Sequence, residues 1–141
     1  MSRMPLVVIG AGVIGRTIID RARRHAEVSL AGIADPSPEA RALAQAAGVP
    51  WCAHFEELLE KVKPRAAVVA TPNDTHADIA VRCIERGVAP LVAQPIAHDL
   101  EAAVRIRDAG AARGVPVLVG HQRRHNPLAR RAREIVAAGE L

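Results

Sequence analysis

Pro5-Leu6-Val7-Val8-Ile9-Gly10-Ala11-Gly12-Val13-Ile14-Gly15-Arg16 is the stretch from which the rest of this 141-residue chain can be read. Its first five residues are a short apolar run, the signature of a strand buried on both faces. Three glycines follow in G-x-G-x-x-G register, and residues 16–24 continue as a charged amphipathic helix. An apolar run behind Arg3 has the outline of a leader peptide. The spacing of the glycines, the lack of a small-residue cleavage site and the direct passage into a helix speak against one. No segment reaches the roughly 18 apolar residues that a membrane span needs.

Working outward, residues 28–34, 66–70, 88–93 and 116–119 repeat the strand signature, and Trp51 with Cys52 adds a short one. Between them, residues 13–25, 38–47, 55–61, 74–86 and 99–112 read as helices. Strand and helix alternate with short connections and no repeat, which predicts an α/β domain with a parallel sheet covered on both faces. The expected architecture is a doubly wound (Rossmann) sheet in the order 3-2-1-4-5-6 with an extra C-terminal helix. In the fourth helix His76, Ile79, Ala80, Cys83 and Ile84 share one face, Gly87 stops the pattern, and Cys83 reads as a core filler. In the fifth, Asp99 is a good N-cap, and Leu100, Ala103, Val104 and Ala111 are expected to face the sheet. After Gly120 the pattern changes. Residues 1–120 therefore read as one domain and 121–141 as a connector. Its last helix carries a stripe of Leu128, Ala132, Ile135 and Val136, which either folds back on the sheet or meets a partner.

Composition narrows the classes. Half the residues are apolar, 24% are charged and mean hydropathy is +0.09, as in an ordinary folded domain. Trp51 and Phe55 are the only aromatic residues, too few for a base-stacking nucleic-acid platform. The net charge is +4. Most of it sits in residues 123–141, where five Arg face two Glu, a pattern that reads as a solvated helix face rather than a nucleic-acid surface. Cys52 and Cys83 form no C-x-x-C, which fits reduced thiols in a cytoplasmic protein and gives metal binding no support.

Each glycine of the loop has a physical task. Gly10 permits the tight turn, Gly12 lets a pyrophosphate approach the backbone where a Cβ would block it, and Gly15 lets helix and strand pack closely. The helix start at Val13 and Ile14 then offers free N–H groups and a partial positive charge to the phosphates. Asp35, twenty residues past Gly15 and at the end of the second strand, is placed to accept hydrogen bonds from the adenosine ribose. A carboxylate there repels a 2′-phosphate, so NAD is expected ahead of NADP, with Arg41 as the residue able to reach such a phosphate.

Three further stretches resemble the Gfo/Idh/MocA oxidoreductases. Thr71-Pro72-Asn73-Asp74-Thr75-His76 is similar to that family's T-P-N-x-x-H. Leu91-Val92-Ala93-Gln94-Pro95-Ile96-Ala97 stands where the family has E-K-P, and Val119-Gly120-His121-Gln122-Arg123-Arg124-His125-Asn126-Pro127 looks like its G-x-x-R-R-x-x-P. The resemblance implies nicotinamide-dependent oxidation of a sugar, cyclitol or related alcohol, or the reverse reduction. It also implies that Thr71, Pro72, Asn73 and His76 line the cofactor, that Gln94 and Pro95 flank the nicotinamide and that Arg123 faces it or the substrate. The plain alternatives are a His76 that packs inside its helix and an Arg123 that is surface charge.

Two departures from the family pattern carry weight. The family's Lys is Gln94 here and the acid before it is Ala93; an amide donates a hydrogen bond but cannot take an alcohol proton. The larger antiparallel-sheet domain that follows the last helix in the family, with its substrate contacts and oligomer interface, is also missing from the sequence. The chain therefore reads as the dinucleotide-binding part of an oxidoreductase, able to form a homo-oligomer and to take a polyol or sugar when completed by a second domain. The other reading is a non-catalytic dinucleotide-sensing module.

Overall fold

The computed structural model describes residues 3–140. Six strands, β1 (Met4–Ile9), β2 (Val28–Ala34), β3 (Trp51–Cys52), β4 (Ala66–Val69), β5 (Ala89–Val92) and β6 (Leu118–Val119), form one sheet in the order β3-β2-β1-β4-β5-β6. Every pairing is parallel. This is the doubly wound α/β arrangement expected from the alternation of patterns. The helices are α1 (Val13–Arg24), α2 (Pro38–Ala47), α3 (Phe55–Val62), α4 (His76–Glu85), α5 (Leu100–Arg113) and α6 (Pro127–Ala137).

The period-two geometry of the strands explains why their apolar runs are continuous. Val7 and Ile9 of β1 and Ala67 and Val69 of β4 enter a core shared with α3, α4 and α5. Their neighbours Val8 and Val68 point to the other face, into a second core with Ile19 of α1 and Ala40 and Ala44 of α2. The chain winds from β1 out to β3, then crosses to β4 on the opposite side of β1. The loops that follow β1 and β4 therefore lead away in opposite directions and leave a crevice at the carboxyl ends of the two strands.

Local chemistry places most boundaries. The Ser37 hydroxyl accepts from the Ala40 N–H at 3.3 Å, Pro38 follows at the first helical turn, and Gly48 ends α2 at φ 68°. The α4 face is as expected, with His76, Ile79, Ala80, Cys83 and Ile84 all buried. The helix starts later than its pattern implies, because residues Asn73–Thr75 form a 3-10 turn first. Burial pushes the Cys83 thiol up to about 12 despite the opposing charge of Arg86, with Glu56 adding to the rise, so the residue behaves as core.

One expectation needs correction. The buried side of α5 is Ala102, Ile106 and Gly110, while Leu100 is 79% exposed and Ala111 is exposed too. Asp99 caps the helix as expected, accepting from the Ala102 N–H at 2.7 Å. The register turns on small residues: a Cβ at position 110 would lie 2.9 Å from Val117 Cγ2, so glycine lets this helix approach the segment entering β6. Of the two alternatives left open for α6, the structure does not take the first, since the helix does not fold back on the sheet. None of its residues is buried, and Leu128 and Val136 are 81% and 60% exposed.

Candidate functional site

The glycine loop separates into two residues explained by the protein and one that is not. Gly10 sits at φ 90°, where an added Cβ would meet the Ala70 carbonyl oxygen at 2.5 Å. Gly15 faces the carbonyl of Gly10, and a Cβ there would come within 1.9 Å of its oxygen. At Gly12 the backbone has an ordinary φ of −67° and a Cβ would meet nothing within 4 Å. Neither backbone strain nor packing requires a glycine at 12; the open space in front of it is a cradle that a Cβ would fill. Gly12 is also the N-cap of α1, with no side chain capping the helix and no acidic residue in its first turn. The positive end of the dipole is left to an external anion.

Asp35 closes the loop from the end of β2. Its Oδ2 accepts from the Ala11 N–H at 2.7 Å and its Oδ1 from the Ser37 N–H at 2.8 Å. Burial works to raise the pKa of this carboxyl. The Ser37 side chain, the Ala11 and Ser37 N–H groups and the Arg16 guanidinium outweigh it and hold the pKa below the ordinary 3.8. One N–H on each oxygen leaves lone pairs free on both for ribose hydroxyls. Arg41 lies over the Trp51 ring, 5.5 Å from its centroid, and the Trp51 Nε1–H donates to the Asp35 carbonyl at 3.0 Å. The guanidinium that would answer a 2′-phosphate is stacked on an aromatic ring.

The crevice itself is a cleft of about 890 Å³ lined by Gly10, Gly12, Asp35, Thr71 and Pro72, with Phe55 closing the β3 side. Val13 and Ile14 line this cleft and also a second hollow of about 360 Å³ that includes Ala93, Gln94, Gly120 and Gln122. The start of α1 therefore stands between two hollows, one on the β1–β2 side and one that runs along Thr17, Ile18 and Arg21 of α1 toward β5 and β6. Of the residues expected at the site, Gly10, Gly12, Val13, Ile14, Asp35, Thr71 and Pro72 come together at the cleft and Gln94 joins the hollow. Asn73 on the 3-10 turn Asn73–Thr75 and Pro95 on a loop are exposed outside both linings, as is Arg123 on the 3-10 turn Gln122–His125. His76 is apart from all of these. Its ring has no exposed surface, lines neither compartment and spans the Thr71 and Pro95 carbonyl oxygens, each at 2.9 Å.

Sequence reasoning passed over Arg16, whose Nε–H donates to the Ala11 carbonyl at 3.0 Å, and the lining from Ala53, His54 and Phe55. For Phe55 a signal existed: it is one of only two aromatic residues and follows the third strand directly. Among the described residues no group of three or more His, Cys, Asp or Glu is arranged to hold a metal, and no helix is long and apolar enough to cross a membrane.

Comparison with known proteins agrees with this geometry. A family model described as "Oxidoreductase family, NAD-binding Rossmann fold" matches residues 4–121. The inositol 2-dehydrogenase of Mycolicibacterium smegmatis is 33% identical over 146 residues, covering 100% of this chain and 42% of the relative. A crystal structure of GenD2 from gentamicin A biosynthesis in complex with NAD superimposes with a TM-score of 0.92 at 28% identity, covering 99% of this chain and 40% of that one. The WlbA dehydrogenase from Bordetella pertussis, solved with NADH and UDP-GlcNAcA, shares the fold at TM-score 0.91 and 24% identity over 97% of this chain and 42% of its own. The chain thus spans about two fifths of the length of the curated relatives it matches.

Proposed function

The chain belongs to the Gfo/Idh/MocA oxidoreductase family, whose NAD-binding Rossmann fold occupies residues 4–121. On that premise we propose that it holds NAD with the adenosine in the larger cleft and the nicotinamide over the hollow beside Gln94. The observation that carries this reading is Gly12, a glycine that the protein's own packing does not need. In this arrangement the pyrophosphate takes the space before Gly12 and receives N–H groups from the start of α1 at Val13, Ile14 and Gly15. Gly10 and Gly15 keep turn and helix close, and Asp35 accepts from the adenosine ribose. Thr71, Pro72 and Asn73 border the middle of the dinucleotide, while Gln94, Pro95 and Arg123 border the nicotinamide. We assign residues 1–120 to dinucleotide binding and 121–141 to a connector.

The substrate we propose is a cyclitol, sugar or related alcohol, in keeping with the inositol dehydrogenase at 33% identity. Bound NAD supplies the hydride chemistry. What the chain supplies is orientation and a hydrogen-bond donor: the Gln94 amide steadies a substrate oxygen but takes no proton from it. General acid–base assistance, worth about 10² to 10⁴ in rate, has to come from another group. Gln94 is also the observation that favours a second reading, a domain that senses dinucleotide without turning it over.

The test is titration of the purified chain with NADH and NADPH, followed by energy transfer from Trp51, the single Trp, and by calorimetry. Saturable binding with preference for NADH is the expected result, and a folded protein that binds neither would overturn the proposal. Hydride transfer to NAD from a panel of polyols separates the two readings. Slow turnover is expected from an oxidoreductase domain carrying Gln94, and none at all from a sensor.

A further inference from the structure

Arg16 and Asp35 hold the same residue of the glycine loop. The Arg16 Nε–H donates to the Ala11 carbonyl at 3.0 Å, and the Ala11 N–H donates to Asp35 Oδ2 at 2.7 Å. A guanidinium and a carboxylate are thereby brought to the two backbone groups of one residue. Burial works to raise the Asp35 pKa; of the groups that lower it, Ser37 and Ala11 act through hydrogen bonds and Arg16 alone through its charge. The two charges nevertheless stay apart: among the described residues no carboxylate closes an ion pair with Arg16. A guanidinium has five N–H donors, and Arg16, an exposed residue, spends one of them on Ala11. Arg41, the other cation on this side of the cleft, lies 5.5 Å from the centroid of the Trp51 ring.

We propose that Arg16, and not Arg41, is the residue that meets the 2′-phosphate when NADP enters the cleft, and that it sets, against Asp35, how far the chain prefers NAD. The proposal rests on the dinucleotide reading above. With the adenosine ribose at Asp35, a substituent on the 2′ oxygen lies beside a carboxylate that repels it and a guanidinium whose planar fork matches phosphate oxygens. Arg16 limits the repulsion in the wild type, and removal of the carboxylate charge leaves the attraction unopposed. A ligand without the 2′-phosphate makes no use of the fork.

The experiment titrates NADH and NADPH into the full chain and its Arg16→Gln, Asp35→Asn, Arg16→Gln/Asp35→Asn and Arg41→Gln variants. Loss of a charge-assisted phosphate contact predicts a fall in NADPH affinity of about tenfold on Arg16→Gln, with NADH changed by about threefold at most. Asp35→Asn is expected to narrow the preference for NADH, and adding Arg16→Gln to it is expected to take that narrowing away. The pair 2′,5′-ADP and 5′-ADP is expected to repeat the pattern without the nicotinamide half. Arg16→Lys keeps the charge without the fork and is expected to lose NADPH selectively, by less than Arg16→Gln.

Equal losses of NADH and NADPH on Arg16→Gln would assign the residue to phosphates common to both ligands or to the fold, and would overturn the proposal. So would a narrowed preference that survives in the double variant, or a selective NADPH loss on Arg41→Gln. Should Arg16→Gln not fold, the comparison of Arg16→Lys with wild type decides the matter by the same selective loss. A folded wild type that binds neither dinucleotide overturns the dinucleotide reading and this proposal with it, whereas binding of both with equal losses overturns this proposal alone.

Discussion

On the β1–β2 side of the crevice Asp35 is partly buried and accepts two backbone N–H groups, whereas on the β5–β6 side Gln94, Pro95 and Arg123 are exposed on loops. The first region is complete in itself: strand ends, glycine turn and carboxylate hold one another whether or not a ligand is bound. In the second, the polypeptide offers polar groups at the mouth of a hollow, followed by a connector in which every residue from 121 to 134 is exposed. The contrast is one of burial and bonding, and it gives the two regions different tasks in the proposed function. On the proposed reading, recognition of the adenosine and phosphates is built into the sheet, and the reacting end of the cofactor faces outward, toward whatever brings the substrate.

The contrast can be broken most violently at Gly15. A Cβ at this position would collide with a backbone carbonyl that cannot move without opening the turn. We expect Gly15→Val to cost upwards of about 4 kcal/mol, a large part of the stability of a typical domain, and to show as a collapse of the thermal transition. Next is Asp35→Asn, which keeps the shape and removes the charge. NADH affinity is expected to fall by about tenfold, or about 1.4 kcal/mol, with a smaller loss for NADPH, measured by parallel titrations.

The same carboxyl makes a pH prediction. Its pKa in the folded chain lies below that of the unfolded chain, so its stabilising contribution is full above pH 3.8 and disappears as pH falls through the lower folded value. Melting temperatures of the wild type are expected to drop over this acid range more steeply than those of Asp35→Asn. The smallest effect is expected on α6. Leu128→Glu and Val136→Glu alter exposed side chains and should leave stability within about 0.5 kcal/mol of wild type by chemical denaturation.

How far the sequence could be read depended on how much contrast the residues offered. The strands followed from Val- and Ile-rich runs, the doubly wound sheet from their alternation with helices, and the α4 face from large apolar side chains against charged ones. The α5 face escaped because its contacts are made by Ala102 and Gly110, where closeness of approach, not side-chain bulk, determines burial. Asp35 was legible because its distance from the loop is a property of the chain's winding. The Arg41–Trp51 stack and the His76 contacts were not, since each joins positions that only the folded crossing between strands brings together. His76 illustrates the limit well: its place on the buried face of α4 was readable, but its partners are backbone carbonyls, which no pattern of residue types reveals.

The central claim is that the space before Gly12 belongs to a ligand and not to the fold. Gly12→Ala tests it most directly, through NADH affinity and melting temperature measured on the same preparation. At an ordinary φ with nothing within 4 Å, the new methyl group is expected to leave stability within about 1 kcal/mol of wild type, the unfolded-state gain being set against the weaker N-cap that alanine makes. NADH binding is expected to weaken by about tenfold or more, a loss of at least about 1.4 kcal/mol. A Gly12→Ala protein that binds NADH as tightly as wild type would contradict the account.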